Sequence, residues 1–199
     1  MARNTEVASA YQQIADWFDS ARNKSLFEKA YLDRVAALAP GKRVLDLGCG
    51  TAEPIAAYFI KAGFAVTGMD IAPRMIELAK ARFPDHDWRV GDMRTADFGG
   101  AYDVLLGWDS FFHLTGDAQR AMIPKFGRHA APGAMLLFNT GPSEGAVYGD
   151  MQGHEIHHAS LSAAEYKTLL ENAGFNVIVH SIDDPDCGGR TVWLSQRNF

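Results

Sequence analysis

Cysteine is scarce in this chain, since Cys49 and Cys187 are the 2 cysteines among 199 residues. Two cysteines at that separation form neither a disulfide framework nor the spacing of a metal site. Positive charge is also in deficit, because 19 lysine and arginine residues face 24 acidic residues and leave a net charge of −5. The chain has no basic run, which argues against a nucleic-acid partner. A small-molecule substrate is favoured instead.

Long apolar runs are missing as well. No window approaches the ~20 apolar residues of a membrane-spanning helix, and residues 1–6 lack the apolar core of a signal peptide. We therefore expect no membrane association and a cytoplasmic location. The length and the 47% hydrophobic share fit a single domain over residues 1–199. For the oligomeric state, both a monomer and a homodimer stay open.

The most informative stretch is a glycine turn in the first third of the chain. Val44 to Leu47 fit the end of a buried strand that Asp46 interrupts, and Gly48 and Gly50 follow at once. Glycine lets the backbone adopt positive φ and lets a ligand lie close to it. Pro54 suits the first turn of a helix, where its missing N–H costs nothing. Strand, turn and helix predict the first βα unit of a doubly wound sheet, which binds ligands beyond the carboxyl ends of its strands.

The residues beside these glycines indicate what kind of ligand the turn binds. A dinucleotide-binding turn needs glycine or alanine three residues after the second glycine, where this chain has Glu53. A carboxylate is a poor neighbour for a pyrophosphate but suits a ligand with cationic groups, and Asp46 favours the same conclusion. Cys49 is best explained as a small residue that fills the turn.

The run Val44–Glu53 resembles motif I of the class I S-adenosylmethionine-dependent methyltransferases, whose usual form is hydrophobic-hydrophobic-Asp-hydrophobic-Gly-x-Gly-x-Gly. Ala52 stands where the third glycine is usual. S-adenosylmethionine has a sulfonium and an ammonium group and no phosphate, in agreement with the acidic turn. The resemblance implies that this cofactor is bound by Asp46, Gly48, Cys49 and Gly50.

Acidic residues also follow the next two predicted strands. Asp70 ends a strand 22 residues past Gly48, near the ~20 expected for a carboxylate that binds ribose hydroxyls. Such a carboxylate accepts charge-assisted hydrogen bonds from both hydroxyls. By the same resemblance, Ile71 belongs to the cofactor site, Asp92 accepts from the adenine amine and Met93 packs against the ring. Plain turns without a ligand are the alternative for both acidic residues.

The predicted fourth strand, Tyr102–Gly107, runs directly into Trp108, Asp109, Ser110 and two phenylalanines before His113. In a parallel sheet this segment faces the same edge as the glycine turn, and polar groups among aromatic ones are typical of a small-molecule pocket. The resemblance places Trp108 in the cofactor site. It makes Asp109 and His113 candidates for the base that takes a proton from the acceptor. A structural role is the alternative for His113.

Two segments outside the sheet are expected to cover the site. Residues 1–40 predict a helical lid, in which Tyr11 matches the aromatic opening of small-molecule methyltransferases and would cover the cofactor; packing of an aromatic stripe is the alternative. Arg22 could meet the cofactor carboxylate, although a solvated position is favoured. Residues 141–160 lack clear periodicity and predict a long loop over the substrate.

Within that loop, the residues His154-Glu155-Ile156-His157-His158 match the H-E-x-x-H pattern of zinc enzymes. Zinc chemistry needs both histidines on one helical face and a third ligand. The glycines before this stretch and the serines after it indicate no amphipathic helix. We therefore predict an extended segment with alternating polar groups and no metal.

The motifs in order span nearly the whole chain. The family that they resemble implies an α/β fold: a doubly wound, mostly parallel seven-stranded sheet in the order 3-2-1-4-5-7-6, with the last strand antiparallel and an N-terminal helical extension. The implied function is methyl transfer from S-adenosylmethionine to an O, N or C atom of a small molecule. Two alternatives stay open. Glu53 counts against a nicotinamide-dependent oxidoreductase, and Ala52 leaves room for a cofactor-binding protein without activity.

Overall fold

The computed structural model describes the backbone of residues 2–199 and the side chains from Val7 onward. The helices are α1 Ala2–Ala21, α2 Lys29–Leu38, α3 Ile55–Lys61, α4 Pro73–Arg82, α5 Gly116–His129 and α6 Ala163–Asn172. The strands are β1 Arg43–Leu47, β2 Ala65–Asp70, β3 Asp87–Val90, β4 Tyr102–Gly107, β5 Ala130–Thr140, β6 Gly145–Met151, β7 His154–Ser160, β8 Phe175–Asp184 and β9 Arg190–Arg197. None of the described helices is long and apolar enough to cross a membrane.

A seven-stranded sheet in the order β3-β2-β1-β4-β5-β9-β8 forms the centre of the molecule. The five neighbouring strands β3, β2, β1, β4 and β5 are parallel to one another. The last strand, β9, runs antiparallel to both β5 and β8. Because β8 and β9 are the sixth and seventh strands of this sheet along the chain, the predicted fold class and strand order are confirmed.

Helices cover both faces of this sheet, and the apolar side chains of β1 alternate between the two faces. Val44 packs on one face with Leu32 of α2 and Phe59 of α3. Leu45 packs on the opposite face with Phe126 of α5 and Leu170 of α6. Successive side chains of a strand point to opposite faces, so a strand covered on both sides must be apolar almost throughout. This requirement makes the buried Asp46 conspicuous.

The two helices of the predicted lid have different surroundings, because α2 belongs to the core and α1 lies at the edge of the sheet. Leu32 and Val35 of α2 are fully buried in the core. Helix α1 instead contacts α4 and β7, and its Tyr11 and Phe18 line a cavity at the carboxyl ends of the strands. Within the predicted lid, α1 therefore has the position from which it can cover a ligand, whereas α2 supports the sheet.

Residues 141–160 differ from the predicted irregular loop, because most of them form a hairpin. Strands β6 and β7 pair antiparallel, with Tyr148 opposite His157. The extended conformation predicted for His154–His158 is confirmed. Among the side chains described, from Val7 onward, no group of three metal-ligating residues is found. The exposure of β6 explains why periodicity was absent, since a strand without a buried face needs no apolar alternation.

Candidate functional site

A cavity lies where the carboxyl ends of β1, β2, β3 and β4 meet, the edge at which doubly wound sheets bind ligands. Helix α1 closes it from above. Its walls include every residue predicted for the cofactor site: Tyr11, Asp46, Gly48, Cys49, Gly50, Asp70, Ile71, Asp92, Met93 and Trp108. The two residues predicted to be catalytic, Asp109 and His113, line it as well. Residues that the sequence scatters over about half the chain are thus brought together at one edge.

The backbone of the glycine turn adopts positive φ angles. Gly48 has φ of 77° and Gly50 has φ of 53°. Ala52, which replaces the third glycine of the motif, also adopts a positive φ of 70°, so the turn keeps its left-handed geometry without a glycine there. The N–H of Gly48 donates to the carbonyl of Met69 at 2.7 Å, which ties the turn to the end of β2.

Gly48→Ala is expected to destabilise the protein, because a Cβ at Gly48 would lie 2.2 Å from the Cβ of Ser110. We expect the free energy of unfolding in urea to fall by about 2–5 kcal/mol, from left-handed strain and overpacking together. Gly153→Ala is the matched control, since Gly153 has φ of 79° and nothing within 4 Å of an added Cβ. It isolates the left-handed strain of about 1–2 kcal/mol. Equal losses in the two variants would contradict the close contact with Ser110.

Asp70 holds the turn and the following helix in register with each other. Its Oδ2 accepts from the N–H of Gly50 at 3.0 Å, and its Oδ1 accepts from the N–H of Ala72 at 2.9 Å. Burial raises the pKa of Asp70, and the backbone hydrogen bonds oppose that shift. The carboxylate is thus oriented by main-chain donors at the cavity wall, where its remaining lone pairs can accept from a ligand.

Asp46 and Trp108 are buried polar groups in the same wall. Asp46 is 3% exposed, and burial together with the nearby Asp70 raises its pKa to about 7. The indole Nε1 of Trp108 is buried without a hydrogen-bond partner among the described residues. Because buried polar groups normally have partners, Asp46 suits a ligand with a positively charged group and the Trp108 N–H suits a ligand with a hydrogen-bond acceptor.

Asp92 is oriented by its neighbour Arg94. The backbone N–H and the Nε of Arg94 both donate to Oδ1 of Asp92 at 2.9 Å. Burial acts to raise the pKa of Asp92, but the hydrogen bonds from Arg94 outweigh it and hold the pKa below its usual value. The carboxylate is therefore ionised at neutral pH and suited to accept from an N–H donor.

Asp109 is held by three side chains from distant parts of the chain. Arg190 donates to both of its oxygens, with its Nε at 2.8 Å and its Nη2 at 2.9 Å. Asn139 donates to Oδ1 at 2.8 Å, and Arg22 lies 3.3 Å from Oδ2. Burial acts to raise the pKa of Asp109, but Arg190 and the other donors together hold the pKa below its usual value. A carboxylate whose pKa is held down by several donors is a poor proton acceptor, which favours an anchoring role over the predicted catalytic one.

Sequence reasoning missed both arginines of this network. Arg22 was expected to be solvated, but its side chain is 19% exposed and lines the cavity. Arg190 begins β9, and its guanidinium packs 4.3 Å from the centre of the Phe27 ring. No local signal marks either residue, because Asp109 lies 87 and 81 positions away from them in sequence.

His113 is buried, and both of its ring nitrogens have protein partners. Its Nδ1 lies 3.1 Å from the carbonyl of His157, so Nδ1 carries the proton and donates. Its Nε2 lies 3.0 Å from the hydroxyl of Tyr11 and accepts from it in the neutral ring. Burial lowers the pKa of His113 to about 4. These contacts favour a positioning role for His113, which orients the Tyr11 hydroxyl in the cavity, over direct proton transfer.

A second cleft adjoins this cavity and shares Asp109 with it. It has a volume of about 610 Å³. Its lining comes from the loop after β5, from Phe112, from His158 on β7, and from the turn that leads to Arg190. The cleft continues the cavity toward the β6–β7 hairpin, so a ligand in one space lies beside a ligand in the other.

Residues 18–180 match a family model described as methyltransferase domain, so the chain belongs to that family. A solved structure of an S-adenosylmethionine-bound amino pentose methyltransferase from Micromonospora echinaspora shares the fold. Its TM-score is 0.69 at 21% identity, over 92% of this chain and 95% of that chain.

The names of two curated relatives indicate different methyl acceptors. The chain is 32% identical over 137 residues to a malonyl-[acyl-carrier protein] O-methyltransferase of Anoxybacillus flavithermus, covering 66% of this chain and 49% of that protein. It is 31% identical over 194 residues to a dTDP-4-amino-2,3,4,6-tetradeoxy-D-glucose N,N-dimethyltransferase of Saccharopolyspora spinosa, covering 90% and 77%. The chain thus spans about half the length of the first relative and most of the second.

Proposed function

We propose that this protein transfers a methyl group from S-adenosylmethionine to a small-molecule acceptor. The charge of the cavity wall carries this proposal. Its carboxylates are Asp46, Glu53, Asp70, Asp92 and Asp109. Glu53, Asp92 and Asp109 are ion-paired with lysine or arginine, whereas Asp46 and Asp70 form no ion pair among the described residues. Such a wall suits a ligand with a sulfonium and an ammonium group and repels a pyrophosphate, which supports the methyltransferase over the nicotinamide-dependent oxidoreductase.

Each part of the cofactor has a chemically suitable partner. We propose that Asp70 accepts from the ribose hydroxyls, Asp92 from the adenine amine, and that Ile71 and Met93 pack against the ring. The glycine turn at Gly48–Gly50 gives the methionine part room to approach the backbone. Asp46 faces the ammonium group, and the cofactor carboxylate meets Arg22 and the indole N–H of Trp108.

The bound cofactor supplies a methyl group that is already activated on sulfonium, so the protein mainly aligns the reactants and excludes water. Helix α1 contributes by covering the cavity with Tyr11, whose hydroxyl His113 orients. Asp109, fixed by Arg190, forms the wall between the two spaces. The β6–β7 hairpin covers the second cleft, where the acceptor binds.

Calorimetry on the folded protein tests the cofactor assignment. We expect S-adenosylmethionine and S-adenosylhomocysteine to bind with measurable heat, and NADH to give none, because its pyrophosphate meets a wall of carboxylates. Thermal unfolding with and without each ligand is an independent check, since a ligand that binds the folded state raises the melting temperature. The absence of any effect of S-adenosylmethionine in both measurements would contradict the proposal.

The raised pKa of Asp46 predicts how the affinity for S-adenosylmethionine changes with pH. A cation bound beside this carboxyl favours its ionised form, so binding lowers the pKa from about 7 and releases a proton. Affinity is therefore expected to rise as the pH increases through about 7. Calorimetry in buffers of different ionisation enthalpy measures the proton released. Asp46→Asn should remove this component, and an identical proton release in that variant would assign it to another group.

The acceptor is tested with compounds chosen from the chemistry that the relatives' names give. One is the 4-amino sugar nucleotide, another is the same sugar nucleotide with a hydroxyl in place of the amine, and the third is a malonyl thioester with a free carboxylate. Formation of S-adenosylhomocysteine is measured for each. Cofactor binding without turnover of any acceptor would favour the alternative of a binding protein without activity.

We further propose that the protein acts in the cytoplasm on small molecules, with neither nucleic acid nor a membrane as a partner. The net charge of −5 supports the first exclusion. For the assembly, a monomer and a homodimer are both compatible with the fold. Light scattering coupled to size-exclusion chromatography distinguishes them.

A further inference from the structure

The roles described so far leave the side chain of His158 unassigned. It lies on β7, half-buried, and it lines the second cleft. Its ring centre is 4.8 Å from that of Phe112 and 4.9 Å from that of His113. Within the described residues its ring nitrogens have no hydrogen-bond partner. His158 therefore presents an uncommitted imidazole beside the boundary between the two spaces.

The other groups near this boundary are committed to protein contacts. Both ring nitrogens of His113 are occupied, by Tyr11 and by the carbonyl of His157. Asp109 accepts from Arg190 with both oxygens. A general base needs a free lone pair within hydrogen-bond reach of the proton that it takes. Of these three groups, His158 is the one that meets this requirement.

The charge of the second cleft indicates what kind of acceptor enters it. The charged residues in its lining are Asp109, Glu144, Asp183 and Arg190. Because Arg190 is paired with Asp109, the carboxylates of Glu144 and Asp183 leave the cleft with an excess of negative charge. Such a field attracts an ammonium group and repels a carboxylate.

We propose that the acceptor is an amine and that His158 contacts it and takes its proton, an inference that rests on the proposed methyltransferase function. The ammonium form of the acceptor gives a proton to an imidazole nitrogen of His158. The freed nitrogen lone pair forms the bond to the methyl carbon as the carbon–sulfur bond breaks, and the electrons of that bond return to sulfur. The proton on His158 then passes to solvent through the open side of the cleft.

The surroundings of His158 keep it in the form that this step needs. Burial and the neighbouring His157 lower its pKa, so the ring is neutral at pH 7 and keeps one unprotonated nitrogen. His113 is the other titratable group in ring contact with it. Glu144, Asp183 and the Asp109–Arg190 pair face it across the cleft.

His158→Gln tests this inference, with His154→Gln as the matched control. Glutamine can still accept a hydrogen bond but cannot take a proton, so it distinguishes proton transfer from positioning. With the amino sugar nucleotide as acceptor, we expect kcat to fall roughly 100-fold or more in His158→Gln, with unchanged affinity for S-adenosylmethionine. His154 lies on the same strand, lines neither space, and its replacement should leave kcat unchanged. The wild-type profile of kcat against pH should show an acid limb that His158→Gln lacks.

Other results would overturn the inference and leave the cofactor assignment intact. These are an unchanged kcat in His158→Gln, turnover of the malonyl thioester in preference to the amine, or cofactor binding without turnover of the amine. Should His158→Gln fail to fold, a wild-type kcat on the amine that is flat from pH 8 down to pH 5 would exclude the histidine base. Absence of S-adenosylmethionine binding would instead contradict the proposed function itself.

Discussion

Asp70→Ala is expected to weaken the binding of S-adenosylmethionine about 10- to 150-fold, which corresponds to about 1.5–3 kcal/mol for lost hydrogen bonds to a charged group. The loss has two physical sources. The ribose hydroxyls lose their proposed acceptor, and the N–H groups of Gly50 and Ala72 lose the carboxylate that they contact at 3.0 and 2.9 Å. The second source loosens the glycine turn, so the methionine end of the ligand also loses its support.

Two further variants separate these sources. Asp70→Asn keeps the size of the side chain but places an N–H group opposite one of the two backbone donors, so we expect an intermediate loss. Asp85→Ala removes an exposed carboxylate from a residue that does not line the cavity, and its affinity should equal that of the wild type. Calorimetric titrations of all four proteins give the affinities. Wild-type affinity in Asp70→Ala would show that the carboxylate contacts no part of the ligand.

The lining of the cavity was predictable because its signals are local, whereas the strand order followed from the resemblance that the motifs carry together. The glycine turn at Gly48–Gly50 requires positive φ, and only a few residue types accept that geometry. Asp70 and Asp92 directly follow predicted strands, and parallel strands bring their carboxyl ends to one edge. Each signal therefore fixes a position in the fold without knowledge of the rest of the chain.

The electrostatics of the site depend on contacts between distant residues and could not be predicted in the same way. The sequence identifies Asp109 and His113 as polar groups beside the cavity, and nothing local to them shows that Arg190 and Tyr11 occupy their hydrogen-bonding atoms. His158 was one of several histidines in a stretch without periodicity. Its place beside Phe112 follows from the packing of β7 against Phe111–His113, a contact between segments that are distant in sequence.

Asp109→Asn is expected to lower the free energy of unfolding at pH 7 by about 3 kcal/mol, the lower end of the range for removing one partner of a buried ion pair. The side chains of Asp109, Arg22 and Arg190 are 16%, 19% and 24% exposed, so the arginines left behind are poorly solvated. Asparagine is the suitable replacement because Asp109 has a positive φ of 49°, which asparagine tolerates better than alanine. Urea denaturation gives the change, and Asp117→Ala, which removes the 96% exposed partner of Arg120, should lie within about 0.5 kcal/mol of the wild type.

The pH dependence of stability gives this prediction a second observable. Because the folded pKa of Asp109 is depressed, its stabilising contribution is fully present above the unfolded pKa of about 3.9 and is lost as the pH falls through the lower folded value. The difference in stability between wild type and Asp109→Asn should therefore shrink on acidification below about pH 4. In the double variant with Arg190→Met, one uncompensated arginine is gone, so the loss should be smaller than the sum of the single losses. Full stability with abolished methyl transfer in Asp109→Asn would instead support the catalytic role that the sequence first suggested for this carboxylate.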